Sequence, residues 1–321
     1  MKKLLILFFV SQIIFGGSWR ISLDPAHLPD FANLQEANDN SSVVNGDTIY
    51  IAGNPAHYPT ATITKKLIII GTGYFFNDNG FYNGTTNVPA TLESVTFEDG
   101  SEGSVITSCI IQHLKLNEKE ILIKRNNISW IELTEYSASL IITQNYLGNI
   151  TRDQNIFTLN NIVITNNYIW SLQIGETNNT LVSNNTIGRG ANGNYFVFHN
   201  NILFSPSSYY YVFIDCDVRN NIVCVSDPAF DPALGNLLDV NMDEVFISLT
   251  EGSQDARYHL RAGSPAIGAG INGVDCGMFG GDNPYQLSGL PAIPIIYEMM
   301  VPTIGTIDEG LNITIKARTN N

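Results

Sequence analysis

The sequence predicts an all-β chain: a parallel β-helix of about ten short coils, with a helix closing its first coil and strands appended after its last. Two observations predict it. A six-residue pattern, apolar-x-x-Asn-x-apolar, recurs at 123–128, 142–147, 164–169, 182–187, 197–202 and 218–223, and a seventh copy at 106–111 carries Cys109 in place of Asn. The resulting column is Cys109, Asn126, Asn145, Asn167, Asn185, Asn200 and Asn221, at intervals of 17, 19, 22, 18, 15 and 21 residues. Paired asparagines leave its register open by one residue.

A unit of about 19 residues is too short for two packed helices, and its β-branched, alternating content suits two or three short strands. The Asn column is expected to form a ladder: Asn tolerates a left-handed corner, and its amide can bond to the Asn of the next coil. Two further columns bear on binding. Thr107, Lys124, Thr143, Thr165, Ser183, Phe198 and Arg219 stand two places before the ladder and read as an exposed, mostly hydroxylated stripe. Val105, Leu122, Ile141, Val163, Leu181, Phe196 and Asp217 stand four places before it; if outward, they form an apolar strip that other parts of the chain must cover.

The remaining elements follow in order. Residues 1–18 read as a secretory leader, with Lys2 and Lys3, an apolar run from Leu4 to Phe15, and the small residues Gly16, Gly17 and Ser18. Phe31, Leu34 and Ala37 fall on one face of a short helix that would close the first coil. The β-helix then occupies 19–285, and alternation in the tail, clearest at Leu311–Lys316, makes 286–321 a strand extension that covers a flank or an end.

Formal net charge is -14, and -16 without Lys2 and Lys3. That balance excludes a phosphate-tracking surface for nucleic acid and would repel a polyuronate chain. Four cysteines without C-x-x-C spacing do not make a disulfide scaffold.

The opening segments NLQEAN, NGDTIYIAG and ITKKLIIIGTGYF resemble those of secreted right-handed parallel β-helix proteins of the pectate-lyase-like superfold. YHLRAGSPAIGAG and VDCGMFGG resemble the closing segment of bacterial exported β-helices. The resemblance spans about 25–285 and implies a right-handed fold, a bacterial origin and a secreted or cell-surface location. It implies no single activity, because the superfold carries lyases, hydrolases, epimerases and adhesins. Neither the calcium ligands of a pectate lyase nor the Asp, His and Arg-Lys set of a polygalacturonase can be carried over.

The candidate site is therefore read from the residues. Asp215, Asp217 and Arg219 alternate with Ile214, Cys216 and Val218, so the charged groups would share the outer face of one strand. Two carboxylates about 7 Å apart would suit inverting glycoside hydrolysis. Tyr209, Tyr210 and Tyr211 precede them as rings that could stack on sugars. No cofactor is expected; calcium is the one cation the carboxylates could help hold, and two of them are too few for a site by themselves. The expected function is non-catalytic binding of glycans or surface partners, and the alternative is a polysaccharide-processing enzyme with Asp215 and Asp217 as acid and base.

Overall fold

The structure is a computed structural model; it describes residues 16–76, 78–80, 88–153, 157–206, 211–302 and 310–319. Most of the expected leader lies outside the described residues, but its last member, Ser18, already opens the first strand and pairs with Thr48. The chain forms a parallel β-solenoid of about eight turns, slightly fewer than the ten expected.

Each regular coil supplies a three-residue strand to a first face, turns a corner, and continues as a seven-residue strand. Val105–Thr107, Leu122–Lys124, Ile141–Thr143 and Val163–Thr165 stack in strict register on the first face. Ile110–Leu116, Asn127–Leu133 and Tyr146–Arg152 do the same beyond the corner. In the long strands alternation breaks once: Gln112 and His113 both point outward between buried Ile111 and Leu114, which divides each long strand into a second and a third face. The interior is a pile of apolar columns, one of them Ile106, Ile123, Ile142, Ile164, Val182 and Phe198, all fully buried.

The ladder occupies the corner after the first face. At Asn167 the side-chain Oδ1 accepts from Asn145 N at 2.9 Å and Asn145 Nδ2 at 3.0 Å. Its Nδ2 donates to Ile142 O, Thr165 O and Asn185 Oδ1 at 2.9, 2.9 and 3.0 Å. The same arrangement links Asn126, Asn145, Asn185, Asn201, Asn221 and Asn236. Cys109 ends the ladder, donating its backbone N–H to Asn126 Oδ1.

Two expectations are corrected here. The ladder member of its coil is Asn201, not Asn200, and Asn236 extends the column. The slip moves that coil's inward residue from Val197 to Phe198 and makes Val197 and His199 the outward pair, because strand side chains alternate faces. The left-handed residue is also not the ladder asparagine but its predecessor: Ser108, Arg125, Gln144, Asn166, Asn184, Asn200 and Asn220 have φ between 51° and 62°.

At the N-terminal end, helix Leu34–Asp39 is capped by Asn33 Oδ1, which accepts from Glu36 N, while Glu36 Oε2 accepts from Ala32 N. Leu34 and Ala37 are buried with the first coils, as a closing helix requires.

The C-terminal part runs back along the outside of the solenoid. Side chains of the left-handed column clip it: Asn220 donates to Ala269 O, Asn200 accepts from Ile271 N, and Asn184 donates to Asp275 O. Farther along, Asn166 donates to Gly280 O, Gln144 to Pro284 O, and Arg125 to Leu290 O. This strap covers the second face, where Tyr146 and Tyr168 stack at 4.3 Å and Tyr258 stacks on Tyr168 at 4.9 Å. Asp255, fully buried, accepts from Asn79 Nδ2, Ser253 Oγ, Tyr285 OH and Ser288 N, and so ties the strap's end to an early coil. Among the described residues, the strands of the extension, Ile295–Met300 and Thr314–Arg318, pair antiparallel with each other and with no strand of the solenoid. Cover of the solenoid thus comes from the strap ahead of them, and it falls on the second face. On the first face Ile141 remains 46% exposed.

Asn167→Ala would strand two carbonyls and the Asn145 N–H in a dry corner. It should destabilise the chain by about 2–4 kcal/mol in urea unfolding. Asn178→Ala, which removes one exposed amide contact to Asn160, should change stability by no more than about 0.5 kcal/mol.

Candidate functional site

Six positions before each ladder asparagine from Asn126 to Asn221 the backbone is again left-handed, at Glu120, Ser139, Asn161, Asn179, Tyr195 and Asp215. This is the corner that leads into the first face. Asn and Asp adopt such a conformation readily, and Asn179 Nδ2 donates to Asn161 Oδ1 at 2.7 Å across neighbouring coils. Glu120, Ser139 and Tyr195 depart from that preference, and Tyr195 is the bulkiest: at φ 62° it carries strain of about 1 kcal/mol or more, and its side chain is half exposed.

A groove of about 590 Å³ follows this corner. Asn161, Asn179, Tyr195 and Asp215 line it along the corner, Val163, Leu181 and Val197 form its apolar floor, and Asp217 stands at its end. The floor exists because the outward position of each first-face strand is aliphatic, the strip expected from the sequence, with Val197 in the place assigned to Phe196. Phe196 itself is buried.

Asp217 is already engaged. Arg219 Nε donates to its Oδ1. His199 Nε2 lies 3.2 Å from its Oδ2, although the ring N–H is not aligned for a hydrogen bond. The Arg219 hydrogen bond is the main reason the Asp217 carboxyl is held below its ordinary value, with the nearby His199 adding to it. Burial pushes the His199 imidazole below its ordinary value and outweighs the opposing pull of Asp217. Asp217 is therefore an ionised acceptor at neutral and mildly acid pH, and His199 a neutral ring at neutral pH.

Both expected carboxylates line the groove, but they do not share a strand. Asp215 occupies the left-handed corner between Tyr211–Ile214 and Asp217–Arg219, so the 7 Å spacing of alternate strand residues does not apply to it. The same corner turns Ile214 outward, to 50% exposure. Tyr211 points inward and packs edge-on against Phe230, so it offers no ring to a ligand. Tyr209 and Tyr210 lie outside the described residues. Tyr195, Asn161 and Asn179 escaped the sequence reading, although the spacing of six from the ladder marks all three once Asn201 is its member. Among the described residues no three His, Cys, Asp or Glu side chains converge on a point that could hold a metal ion. The four cysteines are free thiols, and burial pushes Cys109 and Cys276 up to about 12.

The His199 direction fixes a sign. A base whose pKa is lower folded than unfolded adds stability as pH rises through that interval, and acidification removes it. The lowered Asp217 carboxyl likewise adds stability that is lost in stronger acid. In an NMR titration the His199 ring should protonate below 6.5, the ordinary histidine value, and Asp217→Asn should move its midpoint lower still.

No protein-family model matches the chain, and no match to it is found among the curated proteins.

Proposed function

We propose that the protein is an exported or cell-surface β-solenoid that binds glycans without turning them over, and that the groove along the Tyr195 corner is its binding site. One observation carries this reading: a strained, half-exposed tyrosine stands where the two preceding coils place asparagines, beside an apolar floor and two carboxylates. A ring face for a sugar's C–H surface, with amide and carboxylate groups for its hydroxyls, is a carbohydrate-recognition set. The basic and apolar N-terminal run supports export, and the net charge of -14 favours a neutral or cationic glycan over a polyuronate.

The presence of both Asp215 and Asp217 along the groove is what keeps a hydrolase as the second reading. Against it, Asp217 is paired with Arg219 and held ionised, which unfits it as a general acid.

Tyr195→Asn separates the two demands on this corner. It should leave urea stability unchanged or raise it by up to about 1 kcal/mol, because Asn suits the conformation. It should also weaken binding to the best ligand of a polysaccharide panel by about tenfold or more. Release of reducing ends or unsaturated products that stops in Asp217→Asn would replace the binding reading with the enzymatic one.

A further inference from the structure

A second set of exposed rings lies on a different surface, the bend between the second and third faces. Trp130 and Trp170 are each 44% exposed. The strand register runs from Trp130 to Asn149 and from Asn149 to Ser171. Trp170 precedes Ser171, so the two tryptophans stand two coils apart, about 10 Å along the axis at the usual strand spacing.

Both rings are held in place. Trp130 Nε1 donates to Thr151 Oγ1 at 2.6 Å on the next coil, and the ring packs on His113 of the preceding one at 4.7 Å. Trp170 sits over a bare backbone: a Cβ at Gly188 would stand 2.7 Å from its Cε3. On the coil between the two rings the position aligned with Trp170 is Gly148, so no side chain rises there, and Asn149 is exposed beside it.

Fixed, solvent-facing indoles lose little freedom on binding, and an exposed ring costs folding nothing that a polar residue would not cost less. We propose that Trp130 and Trp170 form a second carbohydrate site, a track along the solenoid axis for a neutral, extended polysaccharide whose alternate sugars stack on the two rings. Two coil rises match the repeat of every second sugar in a fully extended pyranose chain, and Asn149 lies where the intervening sugar presents its hydroxyls. The net charge of -14 sets anionic chains aside. The proposal extends the glycan-binding reading but stands on residues that the groove does not use.

The test uses the full chain in the Tyr195→Asn background, so that the groove contributes nothing. Depletion isotherms on microcrystalline cellulose and on chitin, and affinity electrophoresis in xylan and polygalacturonate, are measured with Trp130→Ala, Trp170→Ala and the two Trp→Phe variants. Retention on at least one neutral polysaccharide, weakened about tenfold by each alanine and restored to within about threefold by phenylalanine, is expected. Indole emission should shift on binding. Absence of retention on every neutral polysaccharide, or retention that neither alanine weakens, would overturn the proposal. Loss of glycan binding in Tyr195→Asn alone, with the tryptophan variants otherwise normal, would leave the groove reading standing without this one.

Discussion

A buried amide that must meet its counterpart on the next coil governs the whole molecule. The Oδ1 of Asn167 takes two N–H groups and its Nδ2 gives to three oxygens, so neither atom tolerates displacement by more than a fraction of an ångström. Coils of 15 to 22 residues are thereby forced into one phase at this corner, and their variation in length is expelled to the loops elsewhere. Everything else is counted from that point: the inward aliphatic three places before, the buried partner two places after, and the left-handed residues one and six places before. The stacked apolar side chains of the interior supply the stacking free energy, but the amide column decides which side chain faces in.

The legible and illegible parts of the fold divide along that phase. Where the flanking apolar residues fit one position alone, as at Asn126 beside Asn127 or Asn185 beside Asn184, pattern and structure agree to the residue. At Asn200 and Asn201 the pattern cannot choose, because Val197 and Phe198 both supply an apolar residue at the right distance. The choice is made in three dimensions by the Asn185 N–H, which needs an acceptor, and the Asn221 Oδ1, which needs donors, and Asn201 supplies both. The slip hid Tyr195, since the position six before Asn200 is Asn194. Asp215 and Asp217 were found because charge on a strand is visible in any register, but the corner between them was not. The strap was illegible for a different reason: its partners lie tens to more than a hundred residues away, and no local periodicity encodes them.

The three faces carry different chemistry. The second is sealed by the aromatic contacts of the strap around Tyr168 and Tyr258. The first remains half exposed and aliphatic beside the Tyr195 corner, and the bend toward the third carries the two tryptophans. The contacts that seal the stack and the surfaces proposed for recognition thus lie on separate sides of it. Under the proposed reading, substitutions on the first face or the bend would alter binding without touching the amide column, as expected when function is grafted onto a scaffold.

The strap also limits how this chain can evolve. An ordinary solenoid lengthens by duplicating a coil, since each coil recognises only its neighbours. Here six successive corners, from Asn220 to Arg125, each hold a set point on one continuous segment from Ala269 to Leu290. An added coil would lengthen the corner column by about 5 Å and leave every clip beyond it facing the wrong carbonyl. The segment acts as a ruler, and it turns an open-ended repeat into a molecule of fixed length.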